Sequence, residues 1–311
     1  MTKNKIEGVK PFNEFWFKSC YYHQLISGLS CLGISRDAGL LFGVETAEKD
    51  FSVKKYEHIS QKMSEKNFGY RCKRCNITKK NLIKNIDAGR PVIIAVDCFY
   101  LESRPDSYRN MHIIHFILVY GYDLETGEAD IVDHDYTNSY LFKEKKVSLD
   151  NLLESNKYYR KKGKSRYFTS RVLYKKGQKI KNRKFIFPNR ETILLGQKSS
   201  EENLMELKRL FVADRKLLQE KTMQIIEYLR EIKQQFLCVS CLENKEVSEK
   251  GRLTATELAH AYSYLIALLW KMFNQKNYEY AVKHLDSILR KIDYMLTCEK
   301  EVYGLLLRFC I

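Results

Sequence analysis

Two apolar runs decide the fold of the first half of this chain: His115-Phe116-Ile117-Leu118-Val119-Tyr120-Gly121-Tyr122-Asp123 and, after a short turn, Ile131-Val132-Asp133. The first run places a histidine at the head of a strand, and the second ends its strand with an aspartate. Strands joined by so short a loop are typical of a β-hairpin. The pattern therefore predicts that His115 and Asp133 lie side by side.

A cysteine earlier in the chain has the setting of a nucleophile. Cys20 stands at the start of a helical pattern whose apolar stripe includes Leu25, Ile26 and Leu29 and stops at Gly33. The N–H groups and the dipole of a first helical turn favour an anion, and a neighbouring imidazole can take the thiol proton. An aspartate on the other ring nitrogen would set the tautomer of that imidazole. The residues predict a cysteine nucleophile, a histidine base and an aspartate that orients it: Cys20, His115 and Asp133.

The run from Ala88 to Asp97, followed by Phe99-Tyr100-Leu101, Tyr108 and His112, extends the pattern upstream of the hairpin. Together with His115-Phe116 and Gly121-Tyr122-Asp123 it resembles the N-terminal domain of the BtrH family, which is related to papain-like and C39-type cysteine peptidases. The resemblance covers roughly residues 10–175 and is most specific from Gly89 to Asp133.

The resemblance implies an enzyme of specialised-metabolite, antibiotic-like biosynthesis. In the family, a papain-like cysteine site takes an acyl group from an acyl carrier protein thioester and passes it to an amine. The matching positions are Cys20, His115 and Asp133. No cofactor is implied apart from the phosphopantetheine arm that delivers the acyl group. Two alternatives stay open, a papain-like hydrolase (a C39-like peptidase or a thioesterase) and a catalytically silent basic binding module.

This chain departs from the relatives of that family near the cysteine. Papain-like peptidases usually carry a glutamine six residues before the cysteine as an oxyanion donor, where this chain has Glu14. Asn13 is the substitute donor that we expect, together with the backbone N–H of Cys20. Ser19-Cys20-Tyr21 replaces the Asp-Cys-Gly of C39-type peptidases, which argues against simple membership of that group.

Two neighbouring residues compete for the histidine and aspartate roles. His112 precedes His115 by three residues, and we prefer His115 because the strand begins directly after it. Asp135 lies one strand repeat beyond Asp133 and would face the same side of the sheet.

The chain of 311 residues changes character near its middle. The first part mixes short β-rich runs with loops, whereas the last part is helical in pattern. We expect an α+β papain-like domain with an antiparallel sheet over residues 1–195 and an all-α helical bundle over residues 196–311. Capping boxes at Ser199-x-x-Glu202 and Thr254-x-x-Glu257 predict the starts of two of its helices.

The net charge of +16 is concentrated. From Ser155 to Arg190 the chain has no aspartate or glutamate but many lysines and arginines. Such a surface attracts acidic partners, and the resemblance makes an acidic acyl carrier protein the expected one. We do not expect nucleic acid, because the aromatic residues of this stretch fit a strand as well as a stacking surface. The acceptor would be a small amine.

Cysteine usage and hydropathy indicate the compartment. Nine cysteines, an odd number, favour a reducing environment over a disulfide framework. The pairs Cys72/Cys75 and Cys238/Cys241 lie too far apart in the chain for a joint zinc site, so no metal is expected. No secretion signal follows Met1 and no apolar run reaches the ~20 residues of a membrane helix. The expectation is a cytoplasmic protein without membrane contact, with oligomerisation open to the helical domain.

Overall fold

The computed structural model describes residues 2–14, 19–37, 46–54, 70–135, 141–162, 170–175, 190–243, 247–275 and 279–308. The chain forms two compact units. The first comprises residues 1–36 and 59–181, and the second comprises residues 37–58 and 182–311. The strands are β1 (Lys3–Lys5), β2 (Thr46–Glu48), β3 (Ser52–Lys54), β4 (Tyr70–Arg74), β5 (Val92–Asp97), β6 (Ile114–Asp123), β7 (Glu128–His134), β8 (Phe142–Ser148) and β9 (Arg171–Lys175). The helices are α1 (Cys20–Ser30), α2 (Lys79–Asp87), α3 (Leu149–Lys162), α4 (Arg190–Ala213), α5 (Arg215–Ser240), α6 (Glu249–Gln275), α7 (Glu279–Lys283) and α8 (Leu285–Arg308), with a 3₁₀ turn at Cys98–Tyr100.

The first unit is built on an antiparallel sheet in the order β4-β9-β5-β6-β7-β8, with β1 added beside β6. The predicted hairpin is present as β6 and β7, in which Leu118 pairs with Val132. A register shift follows Val119, and there Gly121 approaches Asp130 so closely that an added Cβ would lie 2.4 Å from the carboxylate Oδ2. Every residue of β5 is buried, so this strand is covered on both faces of the sheet.

Helices cover both faces of this sheet. Ile117 and Val119 of β6 lie in one apolar core with Leu82 of α2 and Leu152 of α3. On the alternate positions of β6, α1 packs through an edge-on contact of Tyr21 with Phe116, with ring centroids 5.2 Å apart. α1 thereby lies across the strand that carries His115.

The second unit consists of α4 to α8 and the small β2–β3 hairpin. The hairpin comes from a region that the sequence pattern did not predict to be part of this unit. Phe51 at its tip is buried with its ring 5.7 Å from that of Tyr228. Asn203 on α4 fixes the hairpin by donating to the carbonyl of Glu48 at 2.7 Å and accepting from the N–H of Phe51 at 3.2 Å.

Both predicted capping boxes are wrong as helix starts. α4 begins at Arg190 and α6 at Glu249, so Ser199 and Thr254 lie inside helices. The hydroxyl of Thr254 donates to the carbonyl of Lys250, one turn earlier, at 3.0 Å. Any threonine inside a helix can form this hydrogen bond. Asp214 lies between α4 and α5 and caps the start of α5. Its carboxylate accepts from the N–H of Leu217 at 3.0 Å.

The class prediction of α+β, with an antiparallel sheet followed by C-terminal helices, is confirmed. The boundary predicted between residues 195 and 196 differs from the structure, because it falls inside the continuous helix α4. The prediction also placed residues 37–58 in the first domain, whereas in the structure they belong to the helical unit. Within the described ranges, no helix has the length and hydropathy to cross a bilayer.

Most of the basic stretch at 155–190 lies outside the described residues. The structure describes α3 up to Lys162 and β9 up to Lys175, while residues 163–169 and 176–189 are not described. The described strand of this stretch is β9.

Candidate active site

The structure places Cys20 on the first turn of α1. The Ser19 side chain caps this helix by accepting from the N–H of Tyr22 at 3.3 Å. The helix begins at Cys20 itself, so the thiol lies where unpaired N–H groups favour a negative charge. The backbone N–H groups of Tyr21 and Phe116 both donate to the sulfur.

His115 and Asp133 are joined by a buried hydrogen bond. His115 is 4% exposed and Asp133 is fully buried, and the distance from Nε2 of the ring to Oδ1 of the carboxylate is 2.7 Å. The same carboxylate oxygen accepts from the backbone N–H of His134, also at 2.7 Å. Because His115 uses Nε2 for this bond, the nitrogen that remains for the thiol is Nδ1.

The ionisation of Cys20 and His115 is coupled. Burial by itself would raise the pKa of the thiol, but the charge and hydrogen bond of His115 outweigh it, so the pKa of Cys20 is lowered. Burial likewise opposes the charged imidazole, yet the charges of Asp133 and Cys20 raise the pKa of His115 to about 9. Both shifts favour the thiolate–imidazolium pair over the neutral thiol and imidazole.

Asp133 stays ionised although it is buried. Burial would raise its pKa, but the charge and hydrogen bond of His115, assisted by the charge of Arg104, lower it. Arg104 is itself buried, donates to both carboxylate oxygens of Asp106 at 2.9 and 2.7 Å, and lies 3.3 Å from the sulfur of Cys98. Sequence reasoning missed Arg104, since nothing marks one arginine in a basic chain as buried.

A series of rings lies beside the His115–Asp133 pair. The ring of His134 is 5.5 Å from that of His115 and 3.8 Å from that of Phe142, and Phe142 in turn stacks on His23 at 4.6 Å. Burial and the charge of His115 lower the pKa of His134 to about 4, so this second imidazole is neutral. Its only sequence signal was its position directly after Asp133.

The two competing residues have other partners. His112 is half-exposed, its Nδ1 lies 2.8 Å from Oδ2 of Asp97, and its ring stacks on Phe99 at 4.3 Å. Asp135 forms a 2.6 Å ion pair with Lys143. Neither residue takes part in the hydrogen bond between His115 and Asp133.

Asn13, the expected oxyanion donor, bonds to β8. Its side-chain amide forms a two-way bond with the main chain of Phe142, accepting from the N–H at 2.6 Å and donating to the carbonyl at 3.0 Å. Glu14 forms an ion pair with Arg36. One amide hydrogen of Asn13 is thus used by β8, and the role of Asn13 as an oxyanion donor stays a prediction.

One group of metal-ligand type overlaps this site. Within the described residues, ligand atoms of His115, Asp133 and His134 lie within 4.8 Å of one another. A metal ion there would have to take the histidine nitrogen that now bonds to Asp133. The residues therefore fit a histidine–carboxylate pair better than a metal centre.

Comparison with known families bears on the same residues. Residues 33–134 match the model of the family described as butirosin biosynthesis protein H, N-terminal. The match over these residues supports membership of the BtrH family. The BtrH match includes His115 and Asp133 but begins after Cys20, so it is narrower than the expected range of 10–175. No curated protein matches the chain.

Proposed function

We propose that the first unit is a cysteine-dependent acyltransferase of the BtrH type with papain-like catalytic geometry. The observation that carries the proposal is the linked set of Cys20, His115 and Asp133, in which the pKa values of thiol and imidazole shift toward an ion pair. A thiolate that is stabilised in this way is a nucleophile ready for acyl transfer. The family match to a biosynthesis protein supports a biosynthetic role.

The proposed reaction has two halves. In the first, the Cys20 thiolate attacks the carbonyl carbon of an acyl carrier protein thioester, and the departing thiolate takes the proton of the His115 imidazolium. In the second, an amine attacks the Cys20 acyl-enzyme while His115 takes the amine proton, and the Cys20 thiolate leaves as the amide forms. Asp133 holds the imidazole in one orientation throughout. The Tyr21 and Phe116 N–H groups, which point at the sulfur, stabilise the thiolate before attack and after release.

The donor that we propose is an acidic acyl carrier protein, and the acceptor is a small amine. The strongly basic chain supports an acidic donor, because opposite charge accelerates encounter between proteins. No resident cofactor is part of the proposal, and the reduced thiol suits a cytoplasmic location. Hydrolysis differs from transfer only in whether water or the amine reacts with the acyl-enzyme.

The experiment is single-turnover acylation followed by intact mass spectrometry. Full-length protein is mixed with an acyl carrier protein thioester, and the adduct is mapped by peptide sequencing. We expect one acyl group on Cys20, no adduct in Cys20→Ala, and an unchanged adduct in Cys31→Ser. Subsequent addition of amines separates the two enzyme classes. Amide formation faster than hydrolysis supports the transferase, hydrolysis alone supports the hydrolase, and no adduct with any thioester supports a silent binding module.

A further inference from the structure

The first unit contains a cleft where the start of α2 faces α3. Its volume is about 440 Å³, within the range of small-molecule sites. The lining residues come from these two segments: Ile77, Thr78, Lys79, Leu153, Lys157 and Arg160. None of them belongs to the Cys20 site.

The cleft combines an apolar floor with a cationic rim. Ile77 is 6% exposed and belongs to the main apolar core of the unit, against which Leu153 also packs. Lys79, Lys157 and Arg160 supply the positive charge. A ligand that fits this lining carries negative charge at one end and an apolar group at the other.

Little of this positive charge is neutralised by the protein. Among the described residues, no carboxylate pairs with Lys157 or Arg160, and Arg160 donates instead to the side-chain oxygen of Asn76 and, at 3.4 Å, to the carbonyl of Ile77. Lys79 has an ion pair of 3.1 Å with Asp150, but both side chains are exposed to solvent, where such pairs contribute little.

Lys79 is also badly placed for helix stability. It is the first residue of α2, and the first turn of that helix contains no acidic side chain. A cation at the positive end of a helix dipole is unfavourable. A bound anion would turn this arrangement from repulsive to attractive.

We propose that this cleft binds a soluble organic phosphate, with the phosphate on Lys79, Lys157 and Arg160 and the apolar group over Ile77 and Leu153. A phosphate offers three acceptor oxygens and up to two negative charges, which suits a lining with three cations better than a single carboxylate does. The site is independent of the proposed acyl transfer, so either proposal stands if the other fails.

The test is calorimetric titration of the full-length protein at low salt with hexyl phosphate, with inorganic phosphate and hexanol as comparison ligands. We expect hexyl phosphate to bind more tightly than either, and added salt to weaken it. Lys157→Gln should reduce the affinity about tenfold, because it removes a charge-assisted contact from an exposed position. Asp150→Asn should increase the affinity by releasing Lys79.

The matched control is Lys84→Gln, which removes the same charge from α2 outside the cleft lining. Its affinity should stay close to that of the wild type, and hexyl phosphate should protect Lys157 but not Lys84 from acetylation. Binding no tighter than that of hexanol, or equal losses in Lys157→Gln and Lys84→Gln, would overturn the proposal. Retention on phosphatidic acid vesicles without binding of soluble hexyl phosphate would also overturn it, since the phosphate would then belong to a lipid.

Discussion

At the scale of single residues, Cys20 and His115 show how neighbours determine charge. The pKa of the thiol is lowered, although burial opposes this, because the imidazole lies beside it. No imidazole acts on the thiols of Cys31, Cys75 and Cys98, and burial raises the pKa to about 11 for Cys31 and about 12 for Cys75 and Cys98. Residue type alone therefore does not predict which thiol reacts.

We expect iodoacetamide near pH 6 to alkylate Cys20 first. A free thiol with a pKa of ~8.5 is almost fully protonated at that pH, and the raised values elsewhere reduce the thiolate fraction further. Peptide mapping after brief labelling measures the effect. His115→Gln should slow labelling of Cys20 and leave Cys31 and Cys75 as they were. Faster labelling of Cys75 than of Cys20 would remove Cys20 as the nucleophile.

The rate of acylation should depend on pH in a bell shape. The acid limb reports formation of the Cys20 thiolate, and the alkaline limb reports loss of the His115 proton near its pKa of about 9. Single-turnover rates across the pH range measure both limbs. Asp133→Asn should move the alkaline limb to lower pH. The carboxylate charge of Asp133 is the largest of the influences that raise the pKa of His115, and the variant removes it. An unmoved limb in this variant would show that another group controls it.

Asp133→Asn should also reduce turnover by roughly 10- to 10³-fold while leaving the fold intact. An amide at this position can hold the wrong histidine nitrogen protonated, but a preformed ion pair lessens the dependence on the third residue. The matched control is Asp135→Asn, which removes the ion pair with Lys143 and should change turnover little. A collapse in Asp135→Asn with normal turnover in Asp133→Asn would transfer the orienting role to Asp135.

At the scale of elements, the position of α1 decides whether the thiol reaches the histidine. The helix packs closely on the sheet at Gly28, where an added Cβ would lie 2.6 Å from Leu173 Cδ1 and 3.0 Å from Leu118 Cδ1. Both leucines are fully buried, so they have little room to move away. Gly28 thus allows the close packing that holds Cys20 beside His115 at the start of β6.

Gly28→Ala should lower both the thermal stability and the acylation rate. Overpacking of a well-packed core costs typically ~1–3 kcal/mol, which exceeds the ~1 kcal/mol that alanine gains over glycine in a helix. Gly304→Ala in α8 is the matched control, because no atom lies within 4 Å of its added Cβ. It should stabilise the protein slightly, by up to ~1 kcal/mol. Thermal melts of both variants give the comparison, and a stabilised Gly28→Ala would contradict close packing there.

At the scale of the whole molecule, the second unit contains a buried carboxyl group in its own core. Glu299 is 2% exposed, accepts from Ser200 at 2.9 Å and from the hydroxyl of Tyr262, and has no ion-pair partner among the described residues. Burial raises its pKa to about 7, although the hydrogen bonds from Tyr262 and Ser200 act in the opposite direction. Folding of this unit is thereby linked to pH.

The contribution of Glu299 to stability should fall as pH rises from about 4.5 to about 7, opposite in sign to that of His134, whose lowered pKa makes stability rise with pH over nearly the same range. The folded state holds the Glu299 proton up to a pKa of about 7, whereas the unfolded chain releases it near ~4.3, so deprotonation destabilises the fold across this window. The full shift corresponds to roughly 3 kcal/mol. Glu299→Gln should remove this contribution, so its stability relative to the wild type should increase from pH 4.5 to pH 8, where it should be the more stable protein. Denaturant unfolding measures this, with the exposed Glu301→Gln as control, and identical pH curves for wild type and Glu299→Gln would contradict the linkage.

The sequence by itself determined the features that depend on periodicity and chain order. Alternation and turn residues predicted β6, β7 and the α+β class, and an apolar stripe after Cys20 predicted α1. The same information did not choose between Asp133 and Asp135, because residues two apart on a strand share a face. It also mistook Ser199 and Thr254 for caps, since a hydroxyl satisfies a backbone group equally well inside a helix.

Only the tertiary structure decided which polar groups meet. The pairing of His115 with Asp133, the bonding of Asn13 to Phe142 and the burial of Arg104 depend on contacts between residues far apart in the chain. The same holds for the placement of Phe51 against Tyr228 in the helical unit. The energies of such contacts depend on distance and desolvation, and both are properties of the packed chain rather than of the residue order.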